Sequence, residues 1–527
     1  MNTRTIGSLL TLIILIASFA MADVRLPAVI SDNMVLQSDT NVPIWGWAVP
    51  NETVTVSIGK QKQTATANAD GKWMVKLGAI KSSSTTLEMT VSGKNTITIK
   101  NILVGQVWLG SGQSNMEMPV AGYGFEKTPN PITCVINAEQ EIAGAQHPLI
   151  RLFTVEKAVS DKPLADCNGR WVECSPKTIP GFSAVAYFFG RELHKELKQP
   201  VGLINSSWGG TIAETWMSVD SLCANPDFAP ILQRHEEILK KYPNGKTDYD
   251  KAFVQWQKDA NEAAKAGKPE PAQPVLPFGM QNPQGAALLF NGMMSPVIPF
   301  AIKGVIWYQG ESNTTRAKQY QTLFPALITD WRTVWQQGDF PFLFVQLASF
   351  YVPPTWGSPL VWAELRESQL KTLSVPNTGM AVTIDIFEDV NNIHPKNKQD
   401  VGKRLALCAL AITYGRDIEH SGPIYKSMKV EGNKVYLTFT HVDGGLVAKG
   451  GELKTFVIAG ADQKFVPAHA VIRNGTVMVE SSDVKEPVAV RYAWSDVTTG
   501  CNLYNVAGLP ASPFRTDDWP GVADNNK

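Results

Sequence analysis

The sequence predicts an α/β protein, in which a parallel sheet covered by helices on both faces is flanked at each end by a β-sandwich. Three observations predict it. In the middle of the chain, short apolar runs alternate with stretches that repeat apolar residues at helical spacing. On either side, Val- and Thr-rich segments alternate apolar with polar residues, the pattern of half-buried strands. The chain has 527 residues, 44% of them hydrophobic, which is too long for one ordinary domain and rich enough to bury a large core.

Residues 1–22 read as a secretory signal: Arg4, a mainly apolar run over 9–19, then the small-x-small site Ala20-Met21-Ala22. The mature chain is expected to begin near Asp23 and to be exported to the periplasm or beyond. The apolar run is short for a membrane span, so none is expected after cleavage. Residues 23–103 form the expected N-terminal β-sandwich, with turns at Asp70-Gly71 and near Gly93. Residues 104–415 form the expected parallel-sheet domain. Its strands are predicted over 104–109, 150–155, 201–205, 304–308, 341–346 and 380–385, and its helices over 183–197, 317–336, 363–373 and 396–413. Residues 226–283, polar and helical and then rich in proline, read as a surface insertion. Residues 420–527 return to the β pattern as a second sandwich, with a turn at Asn474-Gly475.

Composition excludes several function classes. The 48 basic and 48 acidic residues balance, and no basic stripe suggests nucleic acid as a partner. Six cysteines permit disulfides in an exported chain, Cys167 and Cys174 being placed to close a small loop, whereas Cys408 lies in an apolar helical stretch. No CxxC or HExxH occurs among the cysteines and the seven histidines, so neither a metal nor an organic cofactor is expected. Fifteen tryptophans are many. Their flat faces suit sugars as well as cores.

Four loops carry the chemistry, each following a predicted strand. The first is Gly110-Ser-Gly-Gln-Ser114-Asn-Met-Glu, where glycines permit a sharp turn and Ser114 stands at its tip. Met116 breaks the GxSxG pattern and so argues against an α/β-hydrolase elbow. The second is Asn205-Ser-Ser-Trp-Gly209-Gly210-Thr211, whose paired glycines leave backbone amides open to a ligand. The third, Gln309-Gly-Glu-Ser-Asn313, offers two side-chain amides; it also holds Ser312 as a rival nucleophile and Glu311 as the acid of a rival glycosidase. The fourth, Asn391-Asn-Ile-His394-Pro, places an imidazole just before a helix. In open α/β sheets such loops assemble at one edge. A Ser, a His and several N–H donors there are the parts that acyl transfer needs.

The segments GQSNMEMP, SSWGGT, WYQGESN and IHPKNKQ, and the ending LYNVAGLPASPFRTD, resemble the sialate O-acetylesterase family within the SGNH hydrolases. The resemblance spans essentially the whole mature chain. It implies an SGNH-type three-layer α/β/α domain and hydrolysis of O-acetyl groups from sugars. Ser114 would be the nucleophile and His394 the base, and the oxyanion would be held by the amides of Ser114 and Gly209 with a side-chain amide of Gln309 or Asn313. Trp208, Trp216, Trp307 and Tyr308 lie in or near these loops and are expected either to offer a sugar platform or to wedge the loops into the core, and Arg366 and Arg316 are the candidates to meet the carboxylate of a sialic acid. One departure matters. SGNH enzymes place an Asp shortly before the His, where this chain has Asn391 and Asn392. Three expectations compete: another carboxylate (Asp385, Glu388 or Asp389) orients His394, a backbone carbonyl does, or the protein is slow or inactive. Acetylated plant polysaccharide is the rival substrate, and a catalytically weak carbohydrate-binding protein is the rival class.

Overall fold

The computed structural model describes residues 23–125, 129–265, 271, 274, 282–355 and 357–526. The expected signal segment lies outside them. An eleven-stranded sheet dominates the molecule. Its central run is built from β1 (Thr96–Gly112), β2 (His147–Thr154), β3 (Trp171–Cys174), β4 (Val201–Ser207), β5 (Gly304–Tyr308), β6 (Phe342–Val345) and β7 (Thr378–Ala381), in the spatial order β7-β6-β5-β1-β4-β2-β3. All neighbours are parallel except the edge pair β2–β3. The chain leaves β1 toward β2 and β4 on one side, then crosses to β5 on the other. The strand order therefore reverses at β1, the place where open α/β sheets put their sites.

Both faces of this sheet are covered, which is why β4, β5 and β6 are buried throughout instead of alternating. On β1, Trp108 packs edge-on against Phe189 of the helix Ala184–Leu197. Gly304 pairs with Trp108 in register, so Trp307, three residues further along β5, points to the opposite face. There it meets Phe324 and Trp331 of the helix Ala317–Trp335. The helix Lys398–Cys408 packs beside the first of these, where Gly402 lies too close to Phe188 to admit a Cβ.

Most of the N-terminal strands join this sheet, while Val42–Trp47 and Lys72–Leu77 form a two-stranded antiparallel sheet of their own. Val35–Gln37 pairs with residues 103–105 of β1, and Ser83–Ser92 pairs with the first half of the same strand. The boundary expected at 103/104 thus falls inside one 17-residue strand. One apolar core runs from Val24 through these strands into the helices at Leu410. The C-terminal region has its own core, held between two four-stranded antiparallel sheets. Stacked rings of Tyr425 and Phe514 close it.

The expected insertion contains one long helix, Ala229–Lys265, with Pro243 inside it. Most of the proline-rich part that follows lies outside the described residues. All six cysteines are free, so the loop suggested for Cys167 and Cys174 is not closed. Among the described residues, no helix is long and apolar enough to cross a membrane.

Candidate active site

β1 ends at Gly112, whose φ is +135° and whose Cβ position would lie 2.1 Å from the Tyr308 carbonyl oxygen. Only glycine lets β1 run that close to β5 while turning. Gln113 then donates its backbone N–H to Tyr308 O at 3.0 Å, and its Oε1 accepts the backbone N–H groups of Gly310 and Ser312. This fixes the start of the short helix Ser114–Glu117, with Ser114 at its first position. From the far side of the sheet edge, the loop before the helix Lys398–Cys408 brings in His394. Its Nε2 lies 2.8 Å from Ser114 Oγ, although the two residues are 280 apart in sequence.

Ser114 and His394 face a cavity of about 670 Å³, lined also by Tyr123, Trp208, Gly210, Ser312 and Ile393. A larger cavity of about 880 Å³, beside the N-terminal strands and Trp335, contains none of the four motif loops. Tyr123 donates its hydroxyl to the Ser114 carbonyl at 2.8 Å and sets its ring edge-on to His394. Sequence reasoning missed Tyr123, and no local pattern marks it. Burial, assisted by the nearby Lys398 charge, pushes the His394 imidazole down to about 4, so the ring is neutral and able to accept a proton near pH 7.

Beneath the pair lies a buried polar layer. Asn115 donates to Glu311 Oε1 at 2.6 Å and to the Ile393 carbonyl at 2.9 Å. Its Oδ1 accepts from Lys398 Nζ at 2.5 Å, and that ammonium stands 5.3 Å from the centre of the Tyr308 ring. Burial pushes Lys398 down to about 7 and raises Glu311, whose Oε2 has no partner. Glu117 lines the same cavity as Glu311, but each is committed to other partners, Glu311 to Asn115 and Glu117 to Lys157 and the Gly209 N–H, so the glycosidase reading gains no support.

Several expected roles are corrected by what these side chains touch. Asp385 does not face His394: it forms a two-pronged pair with Arg404 at 2.6 and 2.8 Å and accepts from the Tyr504 hydroxyl. Asn391 bonds Asp389, and Asn392 accepts the backbone N–H of His394. Glu388 accepts the backbone N–H groups of Lys396 and Asn397. Gln309 and Asn313 are buried beneath the loop after Gly210 and hold it, through Thr211 O, Ala213 N and Glu214. Neither amide lines the cavity. Gly209 does approach Ser114, but its N–H donates to Glu117 Oε2 at 2.5 Å. Trp307 and Tyr308 are core residues without exposure, and Trp216 packs on Trp307. Arg366 is fully buried on four backbone carbonyls, and Arg316 pairs with Glu214. Of the aromatic set, Trp208 alone lines the cavity, with Lys157 over its ring.

Among the described residues one trio of metal-ligand type, Glu419, His420 and His441, lies together at the start of the C-terminal region, away from this cavity. Glu419 already accepts His441 Nδ1 and two backbone N–H groups.

Residues 104–265 and 289–411 match the carbohydrate esterase family described as sialic acid-specific acetylesterase. The chain belongs to this family. The esterase is 30% identical to the sialate O-acetylesterase of Rattus norvegicus, over 97% of this chain and 98% of that protein. It is 30% identical to the sialate O-acetylesterase of Homo sapiens, over 99% and 98%. The crystal structure of a carbohydrate acetylesterase from Xanthomonas citri superposes with a TM-score of 0.78 at 37% identity, covering 94% of this chain and all of that one. The protein is therefore a carboxylic ester hydrolase of the carbohydrate acetylesterase type.

Proposed function

We propose that this esterase is exported and removes O-acetyl groups from sialic acids and related acetylated carbohydrates through an acetyl-serine intermediate. The observation that carries the reading is the 2.8 Å contact between His394 Nε2 and Ser114 Oγ in an open cavity. Ser114 Oγ attacks the acetyl carbonyl carbon while His394 Nε2 takes its proton. The tetrahedral intermediate collapses as the C–O bond to the sugar breaks, and His394 returns the proton to the leaving oxygen. Water, deprotonated by His394, then attacks the acetyl-serine carbonyl, and acetate leaves with Ser114 restored.

For the oxyanion, the structure favours backbone donors over the side-chain amides expected from sequence. The N–H groups of Ser114 and Gly210 have no acceptor among the described residues, and Gly210 lines the cavity with φ +76°. Each such donor is worth about 10²–10³ in rate. Ser114→Ala should abolish hydrolysis of 4-nitrophenyl acetate in a protein of unchanged circular dichroism; a retained wild-type rate would remove Ser114 from the mechanism. Labelling of Ser114 by an organophosphate separates an esterase from a sugar-binding protein.

A second substrate reading has a specific observation behind it. Lys157 is the single cation among the described cavity residues, and it is paired with Glu117 Oε1 at 2.5 Å. The pair leaves no net positive charge in the lining to meet a sialate carboxylate, which favours a neutral acetylated sugar. Acetate release from O-acetylated sialic acid and from acetyl-xylan, compared at equal enzyme, decides between the two.

A further inference from the structure

Among the described residues no carboxylate is hydrogen-bonded to the His394 ring. Asp385 is committed to Arg404 and Tyr504, and Asn392 holds only the backbone of His394. The ring nevertheless meets Ser114 at hydrogen-bond distance. What ties its loop to the nucleophile comes from the opposite side. Asn115, the residue after Ser114, gives one Nδ2 hydrogen to the carbonyl of Ile393, the residue before His394. It gives the other to Glu311 Oε1, and its Oδ1 takes Lys398 Nζ. Both N–H groups and the carbonyl of the amide are used, and the donors run in one direction: Lys398 to Asn115 to Glu311. Such a chain polarises its own bonds and admits one orientation of the amide. Asn115, Glu311 and Lys398 are buried, and they stand at the starts of the helical segments that follow β1, β5 and β7. The arrangement therefore locks the nucleophile turn, the base loop and the sheet edge between them.

We propose that Asn115, clamped between Lys398 and Glu311, is the positioning residue that keeps His394 against Ser114, filling by backbone restraint the place of the absent triad carboxylate. The inference rests on the esterase reading above. Lys398 has a second part in it, since its charge, held on Asn115 next to Ser114, disfavours protonation of the imidazole. The titratable groups around His394 are Ser114, Tyr123 and Lys398, with Glu117 and Glu311 beyond Tyr123.

The test uses the full-length protein and 4-nitrophenyl acetate. Asn115→Ala is expected to lower kcat about 10²-fold, the scale of an ångström's misplacement of a catalytic group, with KM within about twofold. Asn115→Asp keeps the acceptor for Lys398 but loses both donors, and should fall as far. Glu311→Gln, which keeps an oxygen for Asn115, should lose less than Glu311→Leu. Lys398→Met removes that charge and should move the acid limb of kcat/KM upward from its wild-type position, which general loosening of the fold does not do. Where Asn115→Ala fails to fold, Asn115→Asp and the Glu311 pair are judged by the same split between kcat and KM. A folded Asn115 variant with kcat within about threefold of wild type overturns the proposal, as does an unmoved acid limb in Lys398→Met. Ser114→Ala, run alongside, separates the two levels: an active Ser114→Ala sinks the esterase mechanism, whereas an inactive one beside a fully active Asn115 variant sinks only the positioning role.

Discussion

Arg366 offers the sharpest separation of a structural from a substrate-binding role. Its guanidinium has no exposure and donates to Leu347 O at 2.8 Å, Ala348 O at 2.6 Å, Ser495 O at 2.7 Å and Asp496 O at 3.0 Å. Two of these carbonyls follow β6, and two belong to the C-terminal region, so one side chain stitches the helix Val361–Lys371 to both. Burial lowers its pKa only to about 10, so it stays charged near neutral pH. Arg366→Met keeps most of the stem and removes every donor. Hydrogen bonds to a charged group are worth about 1.5–3 kcal/mol each; Ala348 O keeps Trp362 Nε1 and Asp496 O keeps the Phe350 N–H, so among the described residues Leu347 O and Ser495 O are the carbonyls left without a donor. Against that stands the relief of no longer burying a cation, several kcal/mol. The balance of the two leaves a net cost of about 3–5 kcal/mol. That corresponds to a rise of at least 10²-fold in the locally open population, which limited proteolysis of the C-terminal region reads directly. KM for O-acetylated sialic acid and for neutral 4-nitrophenyl acetate should change by the same factor. Unchanged proteolysis combined with a KM rise confined to the anionic substrate would refute the structural reading and return Arg366 to the substrate.

Four further outcomes are expected. With the neutral His394 as base and its proton leaving at about 4, kcat/KM should hold from neutral pH down to about 5 and halve near 4; an acid limb at 6.5 would contradict the burial of the ring. Between pH 6.5 and 4 the unfolded imidazole binds a proton that the folded one refuses, so stability falls as pH drops through that window, by about 3 kcal/mol in denaturant titrations. Asp385→Asn should weaken the Arg404–Tyr504 cluster by about 1–3 kcal/mol while kcat stays within a few-fold of wild type; a loss near 10⁴ would restore it as the triad acid. Gly112→Ala drives a Cβ into the Tyr308 carbonyl at a φ that side chains avoid, and adds about 1–3 kcal/mol of strain at the turn carrying Ser114; wild-type kcat in that variant would show that the turn tolerates displacement.

The elements that position the site were legible because each strand of the parallel sheet is a short apolar run ending in a polar or glycine-rich loop. Ser114 and His394 stood at such ends. The roles of single side chains were less legible, for reasons of orientation. Trp307 and Tyr308 end a strand buried on both faces, so neither could be a platform, but a strand's apolar run does not say how many faces are covered. Gln309 and Asn313 follow that strand with the right chemistry; whether an amide serves a ligand or a neighbouring loop depends on a side-chain torsion that spacing does not encode. Asp385 is close to His394 in sequence, but Arg404, at the start of the next helix's second half, competes for it and wins. Close to the boundary expected at 103/104, after Asn101, β1 passes from a half-exposed pattern to a fully buried one, within a single strand.

That strand also decides what can be cut away. Ser114 is delivered by the far end of a beam whose near end is gripped by Val35–Gln37 and Ser83–Ser92. Removing the first hundred residues to isolate a minimal hydrolase would saw the beam in half and strip the partners from its remaining stump. The smallest working enzyme must therefore keep its N-terminal strands, which serve the chemistry without approaching the ester.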